Sequence, residues 1–255
     1  MLELLRQKTR LTDDEARFIL LQLLSVVEYL HTNHVIHRDL KLGNLFLKQG
    51  PIIKLGDFGL ATLVYGENDR KRTICGTPNY IAPEILAGGE KGHSYEVDIW
   101  SFGVIMYTIL VGHPPFQRQE VKEIYEKIKV ANFEFPKNVP ISLAAKDLIN
   151  RLLHPNPEMR PKIADIRAHS YFSEAALLPI PTVTRRELIG ILEPVDGTKN
   201  VVTGESGLIF SIQQSIRKIL TNYSSITSQF DSKLHFKLNL CNIFRNQWTK
   251  RCLFS

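Results

Sequence analysis

At 255 residues, with 44% hydrophobic and 23% charged side chains, the chain has the composition of an ordinary soluble globular protein and the length for one sizeable domain with a tail. Three scattered cysteines, Cys75, Cys241 and Cys252, exclude a disulfide framework or a metal-ligand spacing and fit a reducing compartment. The net charge of +6 is local: seven of the 32 Lys/Arg but one of the 26 Asp/Glu fall in residues 217–255, so the basicity belongs to the tail and the main domain is neutral.

Glu3 and Arg6 interrupt the opening apolar residues, so no signal peptide is expected. Thr12 with Glu15 forms a capping box and predicts a helix from about residue 13, running through an apolar stretch at 18–30 that reads as buried on most sides. It stops at His31-Thr32-Asn33. Val35-Ile36 follow, and then two strand-like segments, 44–48 and 52–55, which predict a β-hairpin around Gln49-Gly50-Pro51. From 59 to 89 periodicity gives way to Gly, Pro, Asn and charge, the pattern of a long functional loop. Helical character returns at 98–110, 120–129, 142–153 and 163–168. The apolar run at 99–111 is too short to span a bilayer and reads as a buried core helix, so no membrane partner is expected. The fold class is mostly α with a small β-hairpin. One domain is expected over 1–175 and a linker with a basic tail over 176–255. Leu208, Ile209, Ile212, Ile216, Leu220 and Tyr223 mark an amphipathic stretch near 207–223.

Phosphoryl transfer asks a protein for a carboxylate to orient the attacking hydroxyl, oxygen ligands for magnesium and fixed positive charge near the phosphates. Asp39 falls where such a carboxylate is wanted, on a turn between the apolar helix and the hairpin. Lys41 is close enough to reach a transferring phosphoryl group. Asn44 and Asp57, at the two ends of the hairpin, carry oxygens suited to a hard cation. His37-Arg38-Asp39 or Asp57-Phe58-Gly59 alone would be a weak signal. In this order, with Ala82-Pro83-Glu84 following, they resemble the signature set of the protein kinases and imply the C-terminal lobe of that α+β fold. On this reading ATP and Mg2+ are the cofactors and Gly76, Thr77 and Pro78 lie in the segment that receives the substrate hydroxyl. Glu84 is expected to pair, buried, with Arg160, and Asp98 to accept backbone hydrogen bonds from the catalytic turn. Thr73 follows Arg70-Lys71-Arg72, and a phosphate placed on it by an upstream kinase could be held by Arg38 and order the loop. Cys75 reads as a bystander.

The stretch Val35-Ile36-His37-Arg38-Asp39-Leu40-Lys41-Leu42-Gly43-Asn44-Leu45-Phe46-Leu47 resembles the catalytic loop of the polo-like kinases, with Leu42-Gly43 the telling pair. Arg72-Thr73-Ile74-Cys75-Gly76-Thr77-Pro78-Asn79-Tyr80 and Gly92-His93-Ser94-Tyr95-Glu96-Val97-Asp98 are similarly close, and the resemblance covers roughly residues 2 to 182. It implies a Ser/Thr kinase of the cell-division machinery, with Thr73 at the activating position. It also implies protein Ser/Thr substrates in acidic contexts, and a location in cytoplasm and nucleus, at spindle poles or centrosomes and at kinetochores.

Two departures qualify that expectation. The sequence holds no Gly-x-Gly-x-x-Gly pattern to cover the phosphates, so the 255 residues are expected to represent a C-lobe alone, truncated and weakly active or inactive by itself. The phosphopeptide-binding polo boxes are not visible either. The rival reading is a non-catalytic lobe that competes for substrates or regulators. A nucleic-acid module would rest on the basic tail alone. A small-molecule kinase would have no use for the segment 73–84.

Overall fold

A computed structural model of the chain describes residues 1–48, 52–66, 68–89 and 91–173. The linker, the tail and the amphipathic stretch near 207–223 lie outside the described residues, as does the hairpin turn at 49–51. In chain order, α1 (Leu2–Lys8) and α2 (Asp13–Thr32) lead into β1 (Val35–Ile36), β2 (Leu45–Lys48), β3 (Ile52–Leu55) and β4 (Thr62–Leu63). The short α3 (Pro83–Ala87) precedes α4 (Glu96–Val111), α5 (Val121–Lys129), α6 (Leu143–Leu152), α7 (Ile163–Ala168) and α8 (Ser170–Ser173). Among the described residues no helix is long and apolar enough to cross a membrane.

The capping box forms as the sequence requires: Thr12 Oγ1 accepts from Glu15 N at 3.4 Å and Glu15 Oε2 accepts from Thr12 N at 2.9 Å. Two of the free N–H groups at the start of α2 are thereby satisfied. Ile19, Leu20, Leu23, Leu24, Val27 and Leu30 bury one face of α2, while Ser25 and Glu28 stay in solvent. The helix that is enclosed on every side is α4, in which every residue from Val97 to Val111 is buried. Burial on most sides of α2 is found over 18–30, where Ser25 and Glu28 alone are exposed, while enclosure on every side belongs to α4.

Around α4 the other helices close the core. Gly103 lets α6 approach, since a Cβ there would stand 2.8 Å from Leu152 Cβ. Trp100 stacks on Phe116 at 5.5 Å between ring centroids, and Tyr107 joins Phe133 and Phe135, its hydroxyl donating to Glu134 O at 2.7 Å. Each fully buried large apolar side chain contributes on the order of 2 kcal/mol, so this layer is the platform on which the loops are mounted.

The hairpin is present, with Leu45 opposite Leu55 and Lys48 opposite Ile52. Asn44, expected to open its first strand, closes a 3-10 turn over Leu42–Asn44 instead. A second two-stranded sheet was not expected: β1 pairs antiparallel with β4, Val35 facing Leu63 and Ile36 facing Thr62. The stretch 59–89 is thus less bare than its composition suggested. It holds β4, a 3-10 turn at Pro78–Tyr80 and α3, with Pro83 at the first helical position. Two-residue strands are too short to show a period in sequence.

Candidate active site

The turn after β1 is held from below by one carboxylate. Asp98, fully buried in the first turn of α4, accepts from His37 N at 2.9 Å through Oδ2 and from Arg38 N at 2.9 Å through Oδ1. A third bond, from His31 Nε2 to Oδ2 at 2.9 Å, comes from the end of α2. Burial alone would raise the Asp98 pKa. The hydrogen bond from His31, the interaction with its ring and the His37 amide outweigh it, and the carboxyl lies below its ordinary value. The anion is therefore the stable form, and it fixes Arg38 at φ +65°, a left-handed conformation that a residue with a side chain rarely holds unaided.

His37 is buried beneath the same turn. Its Nδ1 accepts from Asp39 N at 3.3 Å, its Nε2 donates to Gly56 O at 3.2 Å, and its ring meets Phe58 edge-on at 4.9 Å. Burial lowers its pKa against the pull of Asp98, so a single neutral tautomer satisfies both partners.

The Asp39 carboxylate is enclosed by three side chains. Lys41 Nζ donates to Oδ2 at 2.6 Å, Thr77 Oγ1 donates to Oδ1 at 2.7 Å, and Lys41 also donates to Thr77 Oγ1 at 3.0 Å. Asn44 Nδ2 donates to Asp39 O at 2.9 Å and reaches Oδ2 at 3.4 Å. With its nitrogen so engaged, Asn44 keeps its oxygen as the atom available to a ligand. Gly56 N donates to Asn44 O at 2.9 Å, which brings the far end of the hairpin beside this group. Asp57 comes next, exposed, at φ +57°, with Oδ1 accepting from Gly59 N at 3.3 Å. Two neighbouring oxygen donors, one from an amide and one from a carboxylate, match a magnesium ion that keeps several waters and takes its remaining ligands from phosphate. Among the described residues there is no cluster of three or more His, Cys, Asp or Glu that would hold a metal more tightly.

Residues 1–172 match the model of the protein kinase domain. The chain belongs to the protein kinase family. Its relatives place it among the polo-like kinases. It is 47% identical over 187 residues to the cell cycle serine/threonine-protein kinase CDC5/MSD2 of Saccharomyces cerevisiae, covering 73% of this chain and 26% of that one. With the serine/threonine-protein kinase PLK1 of Xenopus laevis it shares 52% over 174 residues, 68% of this chain and 28% of the other. With polo of Drosophila melanogaster the figures are 45% over 199 residues, 77% and 34%. The chain thus spans about a quarter to a third of the length of these three relatives.

The kinase residues named from sequence fall into two groups. Asp39, Lys41, Asn44 and Thr77 are brought into direct contact, and Asp98 accepts the backbone bonds expected of it. Glu84 and Arg160 pair in parallel at 2.7 and 2.7 Å. Arg160 also donates to Glu96 O and His154 O and lies over the Trp100 ring, which ties α3 to the floor of the lobe. Gly76 lies against Arg38 O, and Pro78 opens the 3-10 turn whose Tyr80 carbonyl accepts from Ser101 Oγ at 3.0 Å. Thr73 stands apart, exposed, while Arg38 turns its Nε to Leu60 O at 2.7 Å. Cys75 is half-buried, and burial pushes its thiol pKa up, which keeps it a thiol.

Two side chains, His31 and Phe46, carry parts that the sequence did not assign, and His37, known there only as part of the signature, sits in the middle of the turn. His31 gives Asp98 its third bond. Phe46 is exposed on β2, two residues after Asn44, with its ring so close over Gly56 that a Cβ there would stand 2.8 Å from Cε2. The strand alternation that buries Leu45 and turns Phe46 outward was the available signal.

Proposed function

We propose that this chain is the catalytic lobe of a Ser/Thr kinase that transfers the γ-phosphoryl group of Mg-ATP to hydroxyls of protein substrates in cell-division control. The observation that carries the reading is the enclosed Asp39 carboxylate, bonded by Lys41 and Thr77 and mounted on a turn that Asp98 fixes. Oδ1 of Asp39 already accepts a threonine hydroxyl at 2.7 Å, which is the geometry a substrate serine or threonine would adopt on the same carboxylate. Asp39 orients that hydroxyl and takes its proton as the oxygen attacks; Lys41 offsets the charge that develops beside it. Asn44 and Asp57 would hold the magnesium. Mg-ATP, when bound, would supply the phosphoryl group, the bond to the bridging oxygen breaking so that ADP leaves with the electron pair, and its metal would offset the phosphate charge. The exposed Phe46 ring offers an apolar face beside these ligands, suited to a nucleobase.

An upstream kinase acting on Thr73 and a place at the spindle apparatus follow from the polo-like resemblance and belong to the same proposal. The 255 residues by themselves are expected to bind Mg-ATP weakly and to turn over slowly or not at all, since a glycine-rich phosphate cover has no counterpart in their sequence. Assay of the purified chain, alone and fused behind the glycine-rich lobe of a polo-like relative, separates the two claims. Transfer to a Ser/Thr protein substrate should emerge only in the fusion and be lost with Asp39→Asn. Robust turnover by the chain alone would refute the second claim, and a fusion indifferent to Asp39→Asn would refute the first.

A further inference from the structure

Between the Asp57 turn and α3, the segment is held at a point that none of the site residues explains. Lys71 and His93 form an isolated antiparallel bridge, with Lys71 N donating to His93 O and His93 N to Lys71 O, both at 2.8 Å. Gly92 makes the approach possible. Its φ is +58°, and a Cβ there would stand 2.7 Å from Lys71 O and 3.0 Å from Arg70 Cβ, so conformation and space both exclude a side chain.

Side chains reinforce the bridge. Arg70 Nη2 donates to Gly92 O at 3.5 Å, and Arg70 pairs with Glu96 at 3.6 Å. Lys71 Nζ donates to both oxygens of Asp69, at 2.9 and 2.8 Å, and Asp69 in turn accepts from Tyr65 N at 2.8 Å. His93 is 2% exposed and its Nε2 has no hydrogen-bond partner among the described residues; the charges of Arg38 and Arg70 act on it against those of Glu84 and Asp98. The next fixed point is Thr77, locked on Asp39 and Lys41. Arg72, Thr73 and Ile74, between the two anchors, are exposed.

We propose that Gly92 and His93 are positioning residues that act through Lys71, holding the segment that precedes Thr73 in the course that lets Thr77 reach Asp39. Among the described residues, the preceding backbone bond from this segment to a distant part of the chain is Val64 N on His34 O, so the bridge is what fixes its course between β4 and Thr77. The use of the held segment for modification of Thr73 rests on the reading given under the proposed function; the strap itself does not.

Amide hydrogen exchange on the purified 255-residue chain tests it. In the wild type, the Lys71 and His93 amides should exchange at least about tenfold more slowly than those of Thr73 and Ile74. Gly92→Val should remove that protection and open tryptic cleavage after Arg70 and Lys71. The His37 and Arg38 amides, bonded to Asp98, should stay protected and serve as the control for folding. If Gly92→Val loses protection at all four amides, Lys71→Pro decides the matter at the His93 amide, since it removes one donor of the bridge and leaves Gly92 as it is. Unprotected Lys71 and His93 amides in the wild type, or protection that survives in a folded variant, would overturn the strap. A Thr73 that no kinase phosphorylates would overturn the modification reading while leaving the exchange result intact.

Discussion

Asp39 and Asp57 are carboxylates at the two ends of one hairpin, and they stand in opposite surroundings. Asp39 has a side chain only 7% exposed, is bonded by Lys41, Thr77 and Asn44, and rides on a turn fixed by the buried Asp98. Asp57 is exposed, sits on a left-handed residue and has one amide at 3.3 Å. The difference divides the site by function. On the proposed function, the half that would receive a substrate hydroxyl is complete within the folded lobe, whereas the half that would meet the phosphates is left for a cation and a nucleotide to finish.

Substitutions can break this contrast from either side. The largest effect is expected for Asp39→Asn in the fused, ATP-gripping form: turnover should fall by about 10²–10⁴-fold with nucleotide affinity little changed. Asp57→Asn should instead weaken Mg-ATP binding, measured by titration calorimetry, and leave the thermal transition where it was. Next comes the support beneath the rigid half. Arg160→Met leaves the largely enclosed Glu84 without its bidentate partner and should lower unfolding stability by about 3–5 kcal/mol in urea, with much of the loss recovered by adding Glu84→Leu.

Much of this contrast was legible in the sequence, because spacing along a turn and a hairpin fixes which residues meet. Asp39, Asn44 and Asp57 needed only local geometry, and Glu84, Asp98 and Arg160 followed from resemblance to a known lobe. The closure of Asp39 by Thr77 joins residues 38 apart, and the bond of His31 to Asp98 joins residues 67 apart. Such bonds are set by how α2, α4 and the segment pack, and no period or motif announces them. The second small sheet and the strap at His93 escaped for the same reason.

Smaller effects sharpen the comparison. Thr77→Val removes a donor to Asp39 and an acceptor for Lys41, and should cost about 1 kcal/mol of stability by thermal denaturation. For pH, burial, reinforced by Arg38 and Arg70 and opposed by Glu84 and Asp98, lowers the His93 pKa from an ordinary 6.5 to about 4. The unfolded chain thus binds a proton near 6.5 that the folded chain refuses until about 4. The contribution of His93 is fully present above about pH 6.5 and is lost as pH falls toward about 4. His93→Gln should flatten that part of the urea-midpoint profile, and an unchanged slope would count against a neutral buried His93.

The division of the site is tested most directly by titrating the isotope-labelled 255-residue chain with Mg-ATP and following its amide resonances, which register even weak binding. Shifts are expected at Asn44, Phe46 and Asp57, fading when magnesium is omitted, while His37, Arg38 and Asp39 stay nearly still. Shifts centred on His37 to Asp39 with Asp57 unmoved would contradict the account.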